Sequence, residues 1–190
     1  MTDHSVDPHP STPLLKRIPT VGWLVLSFVA VLMLAFTVSS ILTDSDLEAV
    51  ADPAPSDSYN LLGGGTASLV DHRGQPVVLN FFGSWCPPCI REMPDLEAAN
   101  QTYADDVHFV GLAVADREED LRALIETTGV TYEIGLDPSE AVFRQIPQAL
   151  AMPTTVFINA DGSIGRVHAG ILTADQIDDF VGELITGEQP

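Results

Sequence analysis

Short apolar runs alternate with segments of helical periodicity between residues 59 and 187. Runs of about four to eight apolar residues between turn residues are typical of buried strands, whereas apolar residues three or four positions apart are typical of helices. This pattern predicts a weak hairpin at 59–69 and strands at 77–82, 107–114, 132–134, 154–159 and 164–169. It predicts helices at 90–103, 118–128 and from residue 173 onwards, and a brief helix that opens at Asp137. Alternating strands and helices followed by a hairpin and a helix predict an α/β domain.

Polar residues at the predicted helix ends support these assignments. Asp116 and Glu119 have the spacing of a capping box before the second helix, and Gly129 follows its last turn. Thr173 and Gln176 have the same spacing before the last helix. The two helices are therefore expected to begin and end at these residues.

An uncharged apolar segment at residues 21–42 precedes the predicted domain. At 1.5 Å per residue its 22 positions span about 33 Å as a helix, which matches the roughly 30 Å hydrocarbon core of a bilayer. Lys16 and Arg17 lie before it and acidic residues follow it, so the positive-inside tendency places the N-terminus in the cytoplasm. The sequence thus predicts a disordered cytoplasmic tail at 1–20 and a single-pass anchor in the cell membrane at 21–42.

Residues 43–58 are rich in Asp, Ser, Ala and Pro and predict an acidic linker between the anchor and the domain at 59–187. A cleaved signal peptide is the alternative, because Ala49, Val50 and Ala51 resemble a processing site. The apolar segment is long for a signal peptide and ends well before that site, which favours a retained anchor. Under either interpretation the domain lies outside the cytoplasm, where disulfides persist.

The region after the apolar segment is strongly acidic. Residues 43–190 contain 25 acidic side chains, six arginines and no lysine, and the whole chain has a formal net charge of −19. Such a surface repels phosphate backbones, which excludes nucleic acid as a partner. Solvation of the surface is the simplest explanation of the acidic residues, and a salty habitat or a basic partner protein are the alternatives.

Cys86 and Cys89 are the two cysteines of the chain. They follow the predicted strand at 77–82 and open the next helix, where unpaired N–H groups and the helix dipole favour a thiolate. One helical turn separates them, which is within disulfide reach. A disulfide that closes so short a loop restricts the unfolded chain little, and a structural zinc site needs about four ligands. The pair is therefore interpreted as a redox couple that opens and closes.

The histidines do not indicate a metal site. His72, His108 and His168 are isolated in the sequence and are interpreted as surface or sheet residues, while the other two lie in the N-terminal tail. No metal ligands are expected.

The motif around the cysteines resembles the thioredoxin superfamily. Trp85-Cys86-Pro87-Pro88-Cys89 follows an apolar strand, Ile90-Arg91-Glu92-Met93-Pro94 comes next, and Met152-Pro153-Thr154-Thr155 lies further along. This combination is similar to the bacterial, membrane-anchored TlpA/ResA/CcmG type of extracytoplasmic thiol-disulfide oxidoreductase. The resemblance covers roughly residues 59–187. It implies a three-layer thioredoxin-like fold with a central mixed sheet, preceded here by one transmembrane helix.

The same resemblance implies roles for individual residues. Cys86 is expected to be the nucleophile and Cys89 the resolving cysteine, and Pro153 is expected to form a cis peptide bond against the dithiol. The residues expected to contact substrate are Trp85, Pro87, Met152 and Pro153. The Cys86–Cys89 disulfide is the redox group, so no separate cofactor is expected.

Proton transfer at the dithiol is expected to depend on Glu92. Thioredoxin itself has a buried aspartate on the central strand, and this chain has Asn80 at the matching place, six residues before Cys86. Asparagine does not titrate, so Asn80 is given a structural role. As in the TlpA/ResA type, Glu92, three residues beyond Cys89, is expected to handle the proton. The alternative is a solvated glutamate on the helix surface.

These features predict a thiol-disulfide oxidoreductase that reduces disulfides in exported proteins. The resemblance implies apocytochrome c before haem attachment, during cytochrome c maturation, as a substrate, and an upstream membrane thiol-disulfide protein as the electron donor. A disulfide-forming oxidase and a peroxiredoxin-like peroxidase are the redox alternatives. A copper-delivery protein is the non-enzymatic alternative because paired thiolates are soft ligands, although copper carriers on this fold typically have CxxxC and a later histidine.

Overall fold

The structure, a computed structural model, describes Trp23, residues 28–34 and residues 52–187. The chain divides into two units, Met1–Ala49 and Val50–Pro190. Residues 28–34 are helical, and among the described residues no helix has both the length and the apolar character needed to cross a membrane. The predicted tail at 1–20, most of the predicted anchor at 21–42 and the predicted linker up to residue 51 lie outside the described residues.

The described part of the second unit contains strands and helices in the predicted order. The strands are β1 (Ser58–Leu61), β2 (Thr66–Ser68), β3 (Val77–Phe82), β4 (His108–Val114), β5 (Glu133–Asp137), β6 (Thr154–Ile158) and β7 (Ile164–Ala169). The α-helices are α1 (Pro87–Tyr103), α2 (Glu118–Thr128) and α3 (Ala174–Thr186). Two short 3-10 helices span Leu69–His72 and Phe143–Gln145.

The strands form one mixed sheet in the order β2-β1-β5-β4-β3-β6-β7. β3 is parallel to β4 and β4 to β5, while the remaining neighbours are antiparallel. The predicted hairpins are β1–β2 and β6–β7. Because β3 lies between β4 and β6, the strand that leads into the first α-helix is paired on both sides.

The sheet is covered on both faces. Every residue of β3 is buried, and its even-numbered hydrophobic side chains join a core shared with the three α-helices. Its odd-numbered side chains join a second core, which is closed by the segment around Phe143–Gln145 rather than by an α-helix. Side chains alternate along a strand, so Asn80 lies on the helix side of β3. The thioredoxin-like α/β fold with a central mixed sheet is confirmed, with an irregular segment as its third layer.

The domain begins earlier than the predicted boundary at residue 59. The Ile164 N–H donates to the carbonyl of Asp52 at 2.9 Å, and the Ala54 N–H donates to the carbonyl of Gly162 at 2.9 Å. Pro53 forms an antiparallel bridge with Ser163. The last residues of the predicted linker therefore lie along the β6–β7 hairpin as part of the domain.

The helix at Glu118–Thr128 has the predicted bounds, but its predicted cap at Asp116 and the predicted brief helix at Asp137 are wrong. Asp116 does not cap α2, whose N-cap residue is Arg117 with no side-chain cap, because the Asp116 carboxylate binds another segment. Asp137 does not open an α-helix but ends β5. Its carboxylate accepts hydrogen bonds from the N–H groups of Ala141, Val142 and Phe143. These bonds stabilise a loop and a single 3-10 turn. The capping box of the last helix is confirmed.

Candidate active site

Cys86 and Cys89 form a disulfide where β3 leads into α1, with their Cα atoms 5.3 Å apart. Cys86 is the N-cap residue of α1. Both cysteines are buried, but Cys86 lines a cleft at the surface and Cys89 is not among the residues that line it. A substrate therefore reaches the sulfur of Cys86 first, which supports its prediction as the nucleophile.

The start of α1 offers few donors to a thiolate. Pro87 and Pro88 occupy its first two positions and have no backbone N–H. The first N–H group of the helix belongs to Cys89, and it contacts Cys86 Sγ at an N···S distance of 3.4 Å. A helix usually presents about four free N–H groups at its start. The prolines therefore weaken the stabilisation that this position gives to a Cys86 thiolate.

Trp85 forms one side of the cleft and is 56% exposed. Its indole Nε1 donates to the carbonyl of Val114 at 3.3 Å. The ring lies over Gly83, where an added Cβ would be 2.6 Å from the indole. Gly83 thus leaves the space that lets Trp85 lie against the protein and present its ring to a substrate.

Asp116 holds the loop that carries the dithiol. Its carboxylate accepts hydrogen bonds from the Ser84 N–H at 2.6 Å and from the Ser84 hydroxyl at 2.7 Å. It also accepts one from the Arg117 N–H at 2.8 Å. The sequence suggested a helix cap at this position, so its role in the active-site loop was missed. A carboxylate two residues after β4, the parallel neighbour of β3, is the signal that could have placed Asp116 beside that loop.

An apolar cleft of about 440 Å³ lies beside Cys86. Its lining residues are Trp85, Cys86, Pro87, Pro88, Val114, Ala115, Glu140, Phe143, Leu150, Ala151 and Met152. Leu150 is 91% exposed, so a large apolar side chain stands at the cleft and faces solvent. Three of the residues predicted to contact substrate, namely Trp85, Pro87 and Met152, lie here. The Met152–Pro153 peptide bond is cis, as predicted, and Pro153 is buried next to the lining.

Glu92 is buried in the helix-side core and is 1% exposed, which rules out the solvated alternative. Its Oε1 accepts a hydrogen bond from the Leu172 N–H at 2.8 Å. Burial raises the pKa of Glu92 from 4.5 to about 7, and the hydrogen bond from Leu172 acts in the opposite direction. Glu92 lies one turn along α1 from Cys89, so a group that exchanges protons near neutral pH lies close to the resolving cysteine.

Among the described residues, Asn80 and Glu92 each have a buried oxygen atom without a hydrogen-bond partner. Asn80 Nδ2 donates to Thr155 Oγ1 at 3.0 Å, which links β3 to β6 as the predicted structural role requires. Asn80 Oδ1, Glu92 Oε2 and the Tyr132 hydroxyl are buried and have no hydrogen-bond partner within the described part of the chain. One carboxyl oxygen of Glu92 is therefore left without a partner among the described residues, and the burial of this carboxyl group raises its pKa.

His72 and His108, which are isolated in the sequence, lie together in the structure. Their rings stack with centroids 4.0 Å apart, and both Nε2 atoms approach the carboxylate of Glu133. The interpretation of His108 as a sheet residue is confirmed, but its contact with His72 was not predicted. His108 opens β4 and His72 precedes the parallel strand β3, so their position at the same edge of the sheet was the available signal.

A CxxC disulfide at the start of a helix, beside a cis proline on a mixed thioredoxin-like sheet, defines a thiol-disulfide oxidoreductase. The chain belongs to the AhpC/TSA family, whose sequence profile matches residues 50–167.

Individual relatives agree with this class. The chain is 30% identical over 170 residues to the thiol-disulfide oxidoreductase ResA of Halalkalibacterium halodurans, covering 87% of this chain and 96% of that protein. It is 31% identical over 128 residues to the thioredoxin-like protein YneN of Bacillus subtilis, covering 66% and 74%. A thiol:disulfide interchange protein of the thioredoxin family from Chlorobium tepidum has a similar structure, with a TM-score of 0.64, 29% identity and coverage of 71% of this chain and 97% of the other.

Proposed function

We propose that this oxidoreductase works as a reductase of disulfides in exported proteins. The observation that carries the proposal is the electrostatic environment of the dithiol. Glu92 is buried one turn from Cys89. Among the described residues that line the cleft, Glu140 is the charged one. Nearby carboxylates disfavour thiolates, and a dithiol whose reduced form is not stabilised is a reductant rather than an oxidant.

In the proposed reaction the Cys86 thiolate attacks one sulfur of a substrate disulfide. The substrate S–S bond breaks, an S–S bond to Cys86 forms, and one substrate sulfur leaves as a thiolate. Cys89 then loses its proton and attacks the sulfur of Cys86, which releases the second substrate thiolate and forms the Cys86–Cys89 disulfide. The substrate gains two electrons and the protein loses them. An external dithiol, proposed to be a membrane protein, returns the two electrons before the next cycle.

Glu92 is the proposed acceptor of the Cys89 proton. Cys89 is 1% exposed, and burial raises the pKa of a thiol, so water is a poor acceptor at this position. A carboxyl group with a pKa of about 7 takes up and releases protons at neutral pH. Asn80 does not titrate, so it does not compete for the proton.

The cleft indicates how a substrate docks. Its lining is mostly apolar, and it lies between Trp85 and the loop that ends in the cis Met152–Pro153 bond. An extended segment of an unfolded or partly folded protein, with apolar residues beside its cysteine, fits this surface. From the resemblance to the TlpA/ResA/CcmG type, we propose apocytochrome c before haem attachment as a substrate.

The location of the reaction is part of the proposal. The uncharged segment at 21–42, with Lys16 and Arg17 before it and acidic residues after it, supports a single-pass anchor in the cell membrane with the domain outside the cytoplasm. Carbonate washing of membranes should leave the full-length chain in the pellet. Recovery of a soluble form that begins near Asp52 would contradict retention.

Trapping tests the substrate class. In the Cys89→Ser variant the mixed disulfide on Cys86 is not resolved, so partners remain covalently attached and are identified by mass spectrometry. The Cys86→Ser variant is the matched control, because it keeps one cysteine but lacks the proposed nucleophile. Exported proteins with paired cysteines, haem-motif apoproteins among them, are expected with Cys89→Ser alone. Equal capture by both variants would contradict the assignment.

A further inference from the structure

A cluster of two imidazoles and a carboxylate lies at the amino ends of the parallel strands. His72 ends a 3-10 helix, His108 is the first residue of β4, and Glu133 is the first residue of β5. His108 Nε2 lies 3.3 Å from Glu133 Oε2, and His72 Nε2 lies 3.8 Å from Glu133 Oε1. One potential ligand atom of each residue lies within 4.8 Å of the other two.

The cluster is far from the dithiol. His108 pairs with Val77 at the start of β3, whereas the dithiol follows Phe82 at its end. At about 3.3 Å per residue, the length of β3 separates the two sites by roughly 17 Å. The cluster therefore takes no direct part in thiol-disulfide exchange.

The imidazole of His72 is not satisfied by the protein. Its Nε2 is buried and has no hydrogen-bond partner in the described part of the chain, and it lies too far from Glu133 for a good hydrogen bond. A buried imidazole nitrogen without a partner, next to a carboxylate, can serve as a metal ligand.

Tyr59 orients the carboxylate of Glu133, and Asp71 adds negative charge to the cluster. The Tyr59 hydroxyl donates to Glu133 Oε1 at 2.7 Å, and Tyr59 is itself buried. The Tyr59 ring fills the space beside Gly135, where an added Cβ would lie 2.5 Å from it. Asp71 is close enough to act electrostatically on both Tyr59 and His72. An oriented carboxylate with outer hydrogen bonds is typical of metal centres in proteins.

From this geometry we propose that His72, His108 and Glu133 bind a divalent transition metal ion of the Zn²⁺ type. Two imidazoles and one carboxylate form a known ligand set for zinc, with a fourth position open to water. Tetrahedral ligand atoms at about 2.0–2.2 Å from the ion lie roughly 3.3–3.6 Å from one another. The two ligand atoms of the cluster that are farthest apart must therefore move about 1 Å closer when the ion binds. Binding would link the segment before β3 to β4 and β5 and stabilise the domain.

Metal titration of the oxidised, full-length protein in detergent tests this site. Oxidation removes the Cys86 and Cys89 thiolates as competing ligands, and a His4→Ala/His9→Ala background removes the imidazoles of the tail. Zn²⁺ is expected to bind with one equivalent in calorimetry, and Co²⁺ is expected to give a saturable visible absorption that Zn²⁺ displaces.

Single variants assign the ligands. His72→Gln and His108→Gln should each weaken Zn²⁺ binding by at least about tenfold, the lower end of the loss seen even for outer-shell partners. Tyr59→Phe keeps the ring and should weaken binding less. His168→Gln is the matched control, because His168 lies on β7 beside Phe180, and it should bind like the parent.

A measurement on the unsubstituted chain avoids any question of folding. Zn²⁺ should protect His72 and His108, but not His168, from modification by diethyl pyrocarbonate. Absence of saturable binding, binding that survives the double variant His72→Gln/His108→Gln, or equal modification of all three histidines with and without Zn²⁺ would each overturn the proposal.

Discussion

Replacing Glu92 by glutamine tests two effects of the buried carboxyl group. One is its effect on the free energy of unfolding, and the other is its effect on the rate of disulfide reduction. The pKa of Glu92 rises from 4.5 to about 7 on folding, and about 1.4 kcal/mol accompanies each tenfold change in an equilibrium constant. Ionising the buried group therefore costs the folded protein about 3 kcal/mol relative to the unfolded chain. Below about pH 4.5 both states are protonated and the cost is absent. As pH rises to about 7 the unfolded chain gives up its proton first, and stability falls.

Glu92→Gln should remove this pH dependence without disturbing the packing. The new amide oxygen can accept the Leu172 N–H, and the new amide NH₂ can donate to Asn80 Oδ1, which lacks a partner in the parent among the described residues. Compared with the parent, the oxidised variant should gain up to about 3 kcal/mol of unfolding free energy between pH 4.5 and pH 8. Denaturant unfolding at both pH values measures the difference, with the exposed Glu126→Gln on α2 as a control for lost charge.

The same variant should be a poorer enzyme. Without a carboxylate near the dithiol, the pKa values of the cysteines should fall, and Cys89 should lose its proton acceptor. General acid–base assistance contributes about 10²–10⁴-fold, so disulfide reduction at neutral pH should slow by at least about tenfold. Stopped-flow reduction of a peptide disulfide measures the rate. A variant with the stability profile, thiol titration and rate of the parent would refute the assigned role of Glu92.

Two further predictions concern the cysteines and the loop that carries them. At mildly acidic pH, iodoacetamide should alkylate Cys86 before Cys89 in the reduced protein, because Cys86 lines the cleft. Mass spectrometry of the peptides measures the order, and equal or reversed labelling would contradict it. Asp116→Ala should destabilise the protein by about 1–2 kcal/mol, because it removes the acceptor for two Ser84 hydrogen bonds. Asp116→Asn should destabilise it less. Equal unfolding midpoints for the parent and the alanine variant would contradict this role.

Local patterns predicted the part of the fold that local forces determine. The apolar run of β3 and the helical spacing of α1 placed Cys86 and Cys89 at the junction between them, where the structure has their disulfide. The capping box at Thr173 and Gln176 depends on residues three positions apart, and it is present. The cis bond before Pro153 came from the family resemblance, since no short-range pattern distinguishes the isomers.

Contacts between segments that are distant in the chain could not be predicted from the sequence. Glu92 is hydrogen-bonded to Leu172, 80 residues away along the chain. The local sequence pattern therefore could not exclude a position of Glu92 on the helix surface. Asp116 binds Ser84, 32 residues earlier, because β4 runs parallel to β3. His72 and His108 meet for the same reason at the other edge of the sheet. In each case the order of strands, rather than the nearby residues, determines the partner.

The reduction potential of the Cys86–Cys89 couple tests the proposed direction of the reaction most directly. Few N–H donors at the helix start, the buried Glu92 and the Glu140 carboxylate at the cleft all disfavour the dithiolate, so the reduced protein should give up its electrons readily. Equilibration of the full-length chain with glutathione or dithiothreitol buffers, followed by trapping of the free thiols, gives the potential. A value more negative than about −200 mV is predicted, and a value near about −120 mV, typical of a disulfide-forming oxidant, would contradict the reductase assignment.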